Sequence, residues 1–353
     1  MDTPRARRAL DGIPVYRPGK AASTDDHKLS SNENPYPPLP GVMERAGAEL
    51  ARMNRYPDAG MTALYDALAE RFGLSTDHFA AGTGSVSVLF ALLTAHLEPG
   101  DEIVYAWRSF EAYPIAADLT GATTVRVPLL PDATHDLDAM AKAVTERTKV
   151  VLVCTPNNPT GPVVTAAQLT AFVEAVPSHV LVVVDEAYVE FVRDPEAASG
   201  LEALAQHGNV VVLRTFSKAY GLAGLRVGYA IARPEIAVSI RKATPPFAVT
   251  DLSQAAAVAS LESQDQLDAR VEAIVQERIA MVAALREQGW DVPDTEANFV
   301  WLPLGDDALD FAAACVPVSV RPFAGEGVRV SVGTPEANAQ LVSLAGAWLA
   351  SRP

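Results

Sequence analysis

Six apolar runs punctuate the middle of the chain: EIVYAW at 102–107, TTVRVPL at 123–129, KVVLVCTP at 149–156, VLVVVDEAY at 180–188, NVVVLRTF at 209–216 and RVGYAIA at 226–232. They are rich in Val and keep no strict period of two, the pattern of strands covered on both faces. Stretches between them, such as TAAQLTAFVEAV at 165–176, carry apolar positions at helical spacing. Strands alternating with helices in this way predict an α/β fold built on a mainly parallel sheet.

The pattern changes near residue 245. TPPFAVTDL at 244–252 is a proline-marked break, and the Ala-, Gln-, Glu- and Arg-rich segment from about 251 to 287 predicts long helices. ANFVWLPL, VSVRPF and GVRVSVG then supply a few strands ahead of a terminal helix, so a smaller α+β domain is expected there. At the other end, KLSSNENPYPPLP at 28–40 is too rich in Pro and Asn for a regular element and reads as an extended arm laid over the body. The expected organisation is an arm with part of the small domain over 1–50, a large domain over 51–245, and a linker helix with the small C-terminal domain over 246–353.

Composition narrows the class. With 353 residues, 49% of them hydrophobic and 20% charged, the chain is long enough for one large core and a second, smaller one. A formal charge of −15, with no basic stretch beyond RARR at 5–8, argues against a nucleic-acid partner. No run approaches the roughly 18 apolar residues of a membrane span, and the first 30 residues lack a signal-peptide core, so a cytoplasmic protein is expected. The two cysteines, Cys154 and Cys315, make no disulfide framework, and Cys154 inside VVLVCTP reads as a core thiol.

Four short stretches carry the candidate chemistry: GTGS at 82–85, NNPTG at 157–161, DEAY at 185–188 and TFSK at 215–218. Three close apolar runs and GTGS precedes a helical stretch, so in an open α/β sheet they fall on the strand edge where ligands bind. Each alone is weak, and Lys218 alone would be a surface charge. Together they are the parts of a pyridoxal phosphate site. Lys218 is an amine for the aldehyde, forming a Schiff base. A buried Asp185 keeps the pyridine nitrogen protonated, and Asn158 and Tyr188 suit the phenolic oxygen. Gly84, Ser85, Thr215, Ser217 and Arg226 offer N–H, O–H and cationic donors to the phosphate. No metal is expected.

NNPTG, DEAY and SKAYGLAGLRVGY, in this order and at these distances, resemble the fold-type I, class II pyridoxal-phosphate aminotransferases, and among them the histidinol-phosphate aminotransferase group. SSNENP, RYPD at 55–58 and GVRVSVG at 327–333 extend the resemblance over nearly the whole chain. IPVYRPGK, AWRSFEAYPI and ANFVWLPLG are closer to the aromatic amino acid (phenylalanine) aminotransferases. The resemblance implies a large domain with a mainly parallel seven-stranded sheet and a homodimer. It implies that Phe110 stacks on the cofactor, that Tyr56 reaches the phosphate of the neighbouring subunit, and that Arg329, with Asn158 nearby, receives the substrate's anionic group. Tyr16 is implied on the substrate side of the arm, and Phe323 is a further candidate for the apolar wall. Two departures stand out: no acidic residue follows the phosphate turn in GTGSVSV, and Phe110 lacks a hydroxyl.

The reaction implied is ping-pong transfer of an amino group from an aromatic amino acid to 2-oxoglutarate, with Lys218 moving the Cα proton. The main alternative is histidinol-phosphate transamination, in which Arg329 with Arg321 would hold a phosphate. A decarboxylase on the same fold and a cofactor-binding regulatory module are weaker alternatives, the latter lacking any basic DNA-binding segment.

Overall fold

The computed structural model describes residues 4, 6, 7, 10, 13 and 27–352. All six apolar runs form strands of one sheet: β2 Glu102–Trp107, β3 Thr123–Pro128, β4 Thr148–Cys154, β5 Leu181–Asp185, β6 Val210–Thr215 and β7 Gly228–Ile231. A seventh, β1 Phe79–Gly82, comes from FAAG, too short and too small-sided to stand out among the apolar runs. The order is β1-β7-β6-β5-β4-β2-β3, with β7 antiparallel to both neighbours and the remaining pairs parallel. GTGS therefore also follows a strand, so all four candidate stretches leave the sheet from strand ends.

The missing period of two has a direct cause. Val182 and Val184 of β5 point into one apolar cluster and Val183 into a second on the opposite face; in β4, Val151 and Val153 oppose Val150 and Leu152 in the same manner. In these central strands nearly every residue is buried whichever way it points, so nothing selects polar residues at alternate positions; β3, at the sheet edge, departs from the expectation of two covered faces, with Thr123, Arg126 and Pro128 exposed.

A three-stranded antiparallel sheet, β8 Phe299–Gly305, β10 Glu326–Ser331 and β9 Arg321–Phe323 in that order, forms the second layer system, with its own core around Trp290, Leu302, Phe311 and Leu341. The 24-residue helix Gln264–Glu287 joins the two: Leu267, Val271 and Ile274 belong to the large core, Met281 and Leu285 to the small one. Helices Pro40–Ala48 and Asp251–Glu262 pack on each other, and Val42, Ala46, Ala256 and Ala257 enter the large core. The arm from residue 27 onward lies along the small sheet: the Ser319 amide donates to the His27 carbonyl and the Ser331 amide to that of Leu29, each at 2.8 Å. No helix among the described residues is long and apolar enough to cross a membrane.

Candidate active site

The strand ends meet the arm and the small sheet around a cavity of about 320 Å³. From the large sheet it is lined by Ser85, Asn158, Asp185, Tyr188, Thr215, Ser217, Lys218 and Arg226, and from the surrounding loops and strands by Phe110, Arg321 and Arg329. Eleven of the residues singled out from sequence thus reach one space.

At one end sits the phosphate-type turn. Gly84 adopts φ +86° and caps helix Ser85–His96, and a Cβ at Gly84 would lie 2.5 Å from the Arg226 guanidinium. Arg226, itself left-handed at φ +54°, donates to the Ser217 hydroxyl at 3.3 Å; the Ser217 amide in turn donates to Thr215 Oγ1 at 3.1 Å. Free helix-terminal amides, two hydroxyls and a guanidinium converge on a small volume, the donor set that a phosphate dianion takes. The turn can lie on the sheet because β7 offers Gly228 beneath it: a Cβ there would stand 2.1 Å from the Ser85 nitrogen.

Asp185 ends β5 and is buried. Its Oδ2 accepts from the Tyr113 phenol at 2.8 Å, whereas its Oδ1 is buried with no hydrogen-bond partner. A carboxylate oxygen left so is costly unless a donor arrives from the cavity. Burial raises its pKa to about 6, against the Tyr113 hydrogen bond.

Lys218 is half-buried, and its amine donates to the Ser31 carbonyl at 3.1 Å from a position 5.8 Å above the centre of the Tyr188 ring. Burial, then the Arg329 charge, holds its pKa down at about 7, with Glu33 pulling the other way. A nucleophilic amine at neutral pH is what this setting produces. Tyr188 is buried edge-on against Phe299, with ring centroids 5.0 Å apart, and its hydroxyl accepts from Asn32 Nδ2 at 3.0 Å. Burial pushes its phenol well above the usual tyrosine range.

Arg329 on β10 is buried and donates to Asn158 Oδ1 at 2.6 Å and to the Ser30 carbonyl at 2.8 Å, so one guanidinium clasps NNPTG and the arm. Arg321 donates to both carboxylate oxygens of Glu111, at 3.0 and 3.1 Å, and Arg108 forms a two-pronged ion pair with Glu326. Each pair ties the segment after β2 to the β9–β10 hairpin.

Three expectations sit differently. Phe323 is buried against Trp301, 5.5 Å between centroids, and lies under the Arg329 guanidinium at 6.0 Å; it supports the arginine and does not line the cavity. Tyr56 is 80% exposed, stacked on Phe247 at 4.8 Å, and lines no part of this cavity within its own chain. Tyr16 lies outside the described residues. Sequence reasoning did not single out Tyr113, Asn32 or Glu111. For Tyr113 a signal existed in its spacing of three from Phe110 at a helix start, which lets the rings meet edge-on at 5.6 Å.

The comparisons with known proteins agree with this geometry. A family model described as "Aminotransferase class I and II" matches residues 24–343. Similar curated proteins include the aromatic amino acid aminotransferases of Streptomyces avermitilis, 59% identical over 95% of each chain, and of Thermobifida fusca, 54% identical over 97% of this chain and 96% of that one. Among solved structures, the histidinol-phosphate aminotransferase of Sinorhizobium meliloti in complex with pyridoxal-5'-phosphate superposes with a TM-score of 0.89 at 26% identity, covering 99% of both chains. The aspartate aminotransferase of Thermus thermophilus with maleate does so with a TM-score of 0.80 at 26% identity over 91% of each.

Proposed function

The chain belongs to the class I and II aminotransferases, and on that premise we propose that it moves the amino group of an aromatic amino acid to 2-oxoglutarate with pyridoxal phosphate held in the cavity described above. The observation that carries the cofactor reading is the buried, unpartnered Asp185 Oδ1 in a cavity that also holds an amine of depressed pKa, Lys218. Pyridoxal phosphate, when bound, supplies an aldehyde to carry the amino group and a ring that withdraws the electron pair left at Cα.

The protein's own residues divide the remaining work. Asp185 Oδ1 accepts from the ring nitrogen and keeps it protonated. Asn158 and Tyr188 donate to the phenolic oxygen, and Phe110 covers a ring face. Ser85, Thr215, Ser217 and Arg226 hold the phosphate behind the Gly84 turn, and Tyr56 of a second copy completes the set in a homodimer. Lys218 Nζ, about half of it neutral at pH 7, takes the proton from substrate Cα. Arg329 binds the substrate carboxylate through its planar fork. Tyr16 is proposed as a substrate-side residue, and the enzyme works in the cytoplasm.

For the donor, the relatives named for aromatic amino acids at 47–59% identity weigh more than structural neighbours at about half that identity. The site adds an argument. A phosphate approaching Arg321 meets the Glu111 carboxylate already bound there, whereas an aromatic ring leaves that pair undisturbed. Single-turnover transfer with phenylalanine, tyrosine and histidinol phosphate in parallel tests the reading. A preference of tenfold or more for histidinol phosphate refutes the donor assignment. Light scattering tests the assembly, and a fully active monomer excludes the shared site.

A further inference from the structure

Tyr113 has no part in the proposed chemistry, yet it is fully buried at the base of the cavity wall, in helix Ala112–Thr120. Its ring is fixed from two sides, edge-on to Tyr105 at 5.8 Å and to Phe110 at 5.6 Å between centroids. That packing aims the hydroxyl at Asp185 Oδ2, 2.8 Å away, with the Cys154 thiol also in reach of it. The carboxylate's other oxygen is the one left without a partner. A carboxylate has two oxygens and one torsion to choose between them, so a donor fixed on Oδ2 decides where Oδ1 points.

We propose that Tyr113 is a positioning residue: its phenol anchors Asp185 Oδ2 so that Oδ1 faces the cavity, and by stabilising the ionised carboxylate it keeps the shared proton on the cofactor's ring nitrogen. The inference rests on the reading of the cavity as a pyridoxal phosphate site. The surroundings give the phenol one rival for that part, the Ala187 amide, whose weaker hydrogen bond to the carboxylate also favours its ionised form. Cys154, across the β4–β5 pairing from Asp185, is a thiol that burial and the Asp185 charge push up to about 12, so it stays neutral. Glu186, next in the chain, turns the other way and is bound by Arg214 at 2.7 Å and by the Gly200 amide at 2.6 Å. Burial and the Asp185 charge drive the Tyr113 phenol far above the usual tyrosine range, so it remains a donor throughout the working pH.

Tyr113→Phe removes the hydroxyl and keeps the ring contacts, and a melting curve checks that the fold survives. Pyridoxal phosphate labelled with ¹⁵N at the ring is bound to wild type and variant, and the nitrogen shift is read without turnover. The expected result is a wild-type shift in the protonated range, a move toward neutral pyridine in Tyr113→Phe, and cofactor affinity weakened about tenfold, the loss of one hydrogen bond to a charged group. Tyr113→3,5-difluorotyrosine, a stronger donor of nearly the same shape, keeps the nitrogen at least as protonated as wild type, and it stands as the test if the Phe variant does not fold. Identical shifts and affinities in wild type and Tyr113→Phe, or a fluorinated variant that moves toward neutral pyridine, overturn the proposal. A wild-type protein that binds no pyridoxal phosphate refutes the cofactor reading itself, a separate outcome.

Discussion

Gly228→Ala is the sharpest test of how the phosphate turn is built. Gly228 on β7 pairs with Gly82 on β1, and a Cβ there would stand 2.1 Å from the Ser85 nitrogen, 2.6 Å from the Gly84 carbonyl carbon and 2.8 Å from Ser85 Cα. All three are backbone atoms, so no side chain can swing aside. Restoring ordinary contact at 3.4 Å moves the Ser85 amide by about 1.3 Å (3.4 − 2.1). A hydrogen bond of roughly 2.9 Å stretched by that amount ceases to be one. The strain of inserting the methyl costs about 1–3 kcal/mol of apo-protein stability. Loss of a charge-assisted amide contact weakens cofactor binding by about 1.5–3 kcal/mol, roughly 10- to 150-fold in Kd. Urea denaturation of the apo-protein and fluorescence titration with pyridoxal phosphate measure the two terms separately. Gly224→Ala is the control, since a Cβ there meets nothing within 4 Å and its φ is ordinary. A folded Gly228→Ala protein with a Kd within twofold of wild type would refute the placement of the phosphate at this turn.

Three more outcomes are expected. Lys218→Ala loses turnover but still takes up the cofactor without a covalent bond, because Asp185 and the phosphate donors remain; borohydride reduction followed by mass measurement shows attachment in wild type alone, and normal turnover in the variant would end the assignment. The amine of Lys218, held down at about 7 by burial first, is protonated below that pH and neutral above it, so covalent loading accelerates as pH rises from 5.5 to 8 and then levels off. An ordinary lysine would keep accelerating by roughly tenfold per unit up to about pH 10, and stopped-flow absorbance distinguishes the two. Arg329→Ala strands Asn158 Oδ1 and the Ser30 carbonyl as well as the substrate's charge. It should lower kcat/KM for phenylalanine by about 2–4 kcal/mol, roughly 30- to 1,000-fold, and a loss below threefold in steady-state kinetics would move the carboxylate elsewhere.

Much of this molecule is legible in one dimension because its governing forces are local or periodic. Val-rich runs declare strands buried on both faces, since burial of every side chain removes the need for alternation, and the ends of those runs are where an α/β sheet presents its ligands. Lys218, Asp185 and Asn158 stand at such ends, and their chemistry is written in their residue types. The short strand Phe79–Gly82 escapes this reading because one Phe followed by three small residues acquires a strand conformation only from the neighbour that pairs with it. The same holds for the contacts that tune the site. Tyr113 meets Asp185 across 72 residues, Asn32 meets Tyr188 across 156, and Arg321 meets Glu111 across 210. Each depends on how two distant segments pack, and a hydrogen bond or ion pair is decided within about an ångström of approach, a precision that residue order alone does not carry. Residue types determined which functional groups could serve the cavity; the folded chain decided which oxygen of Asp185 stays open, which arginines are already engaged, and why a glycine on β7 must lie beneath the phosphate turn.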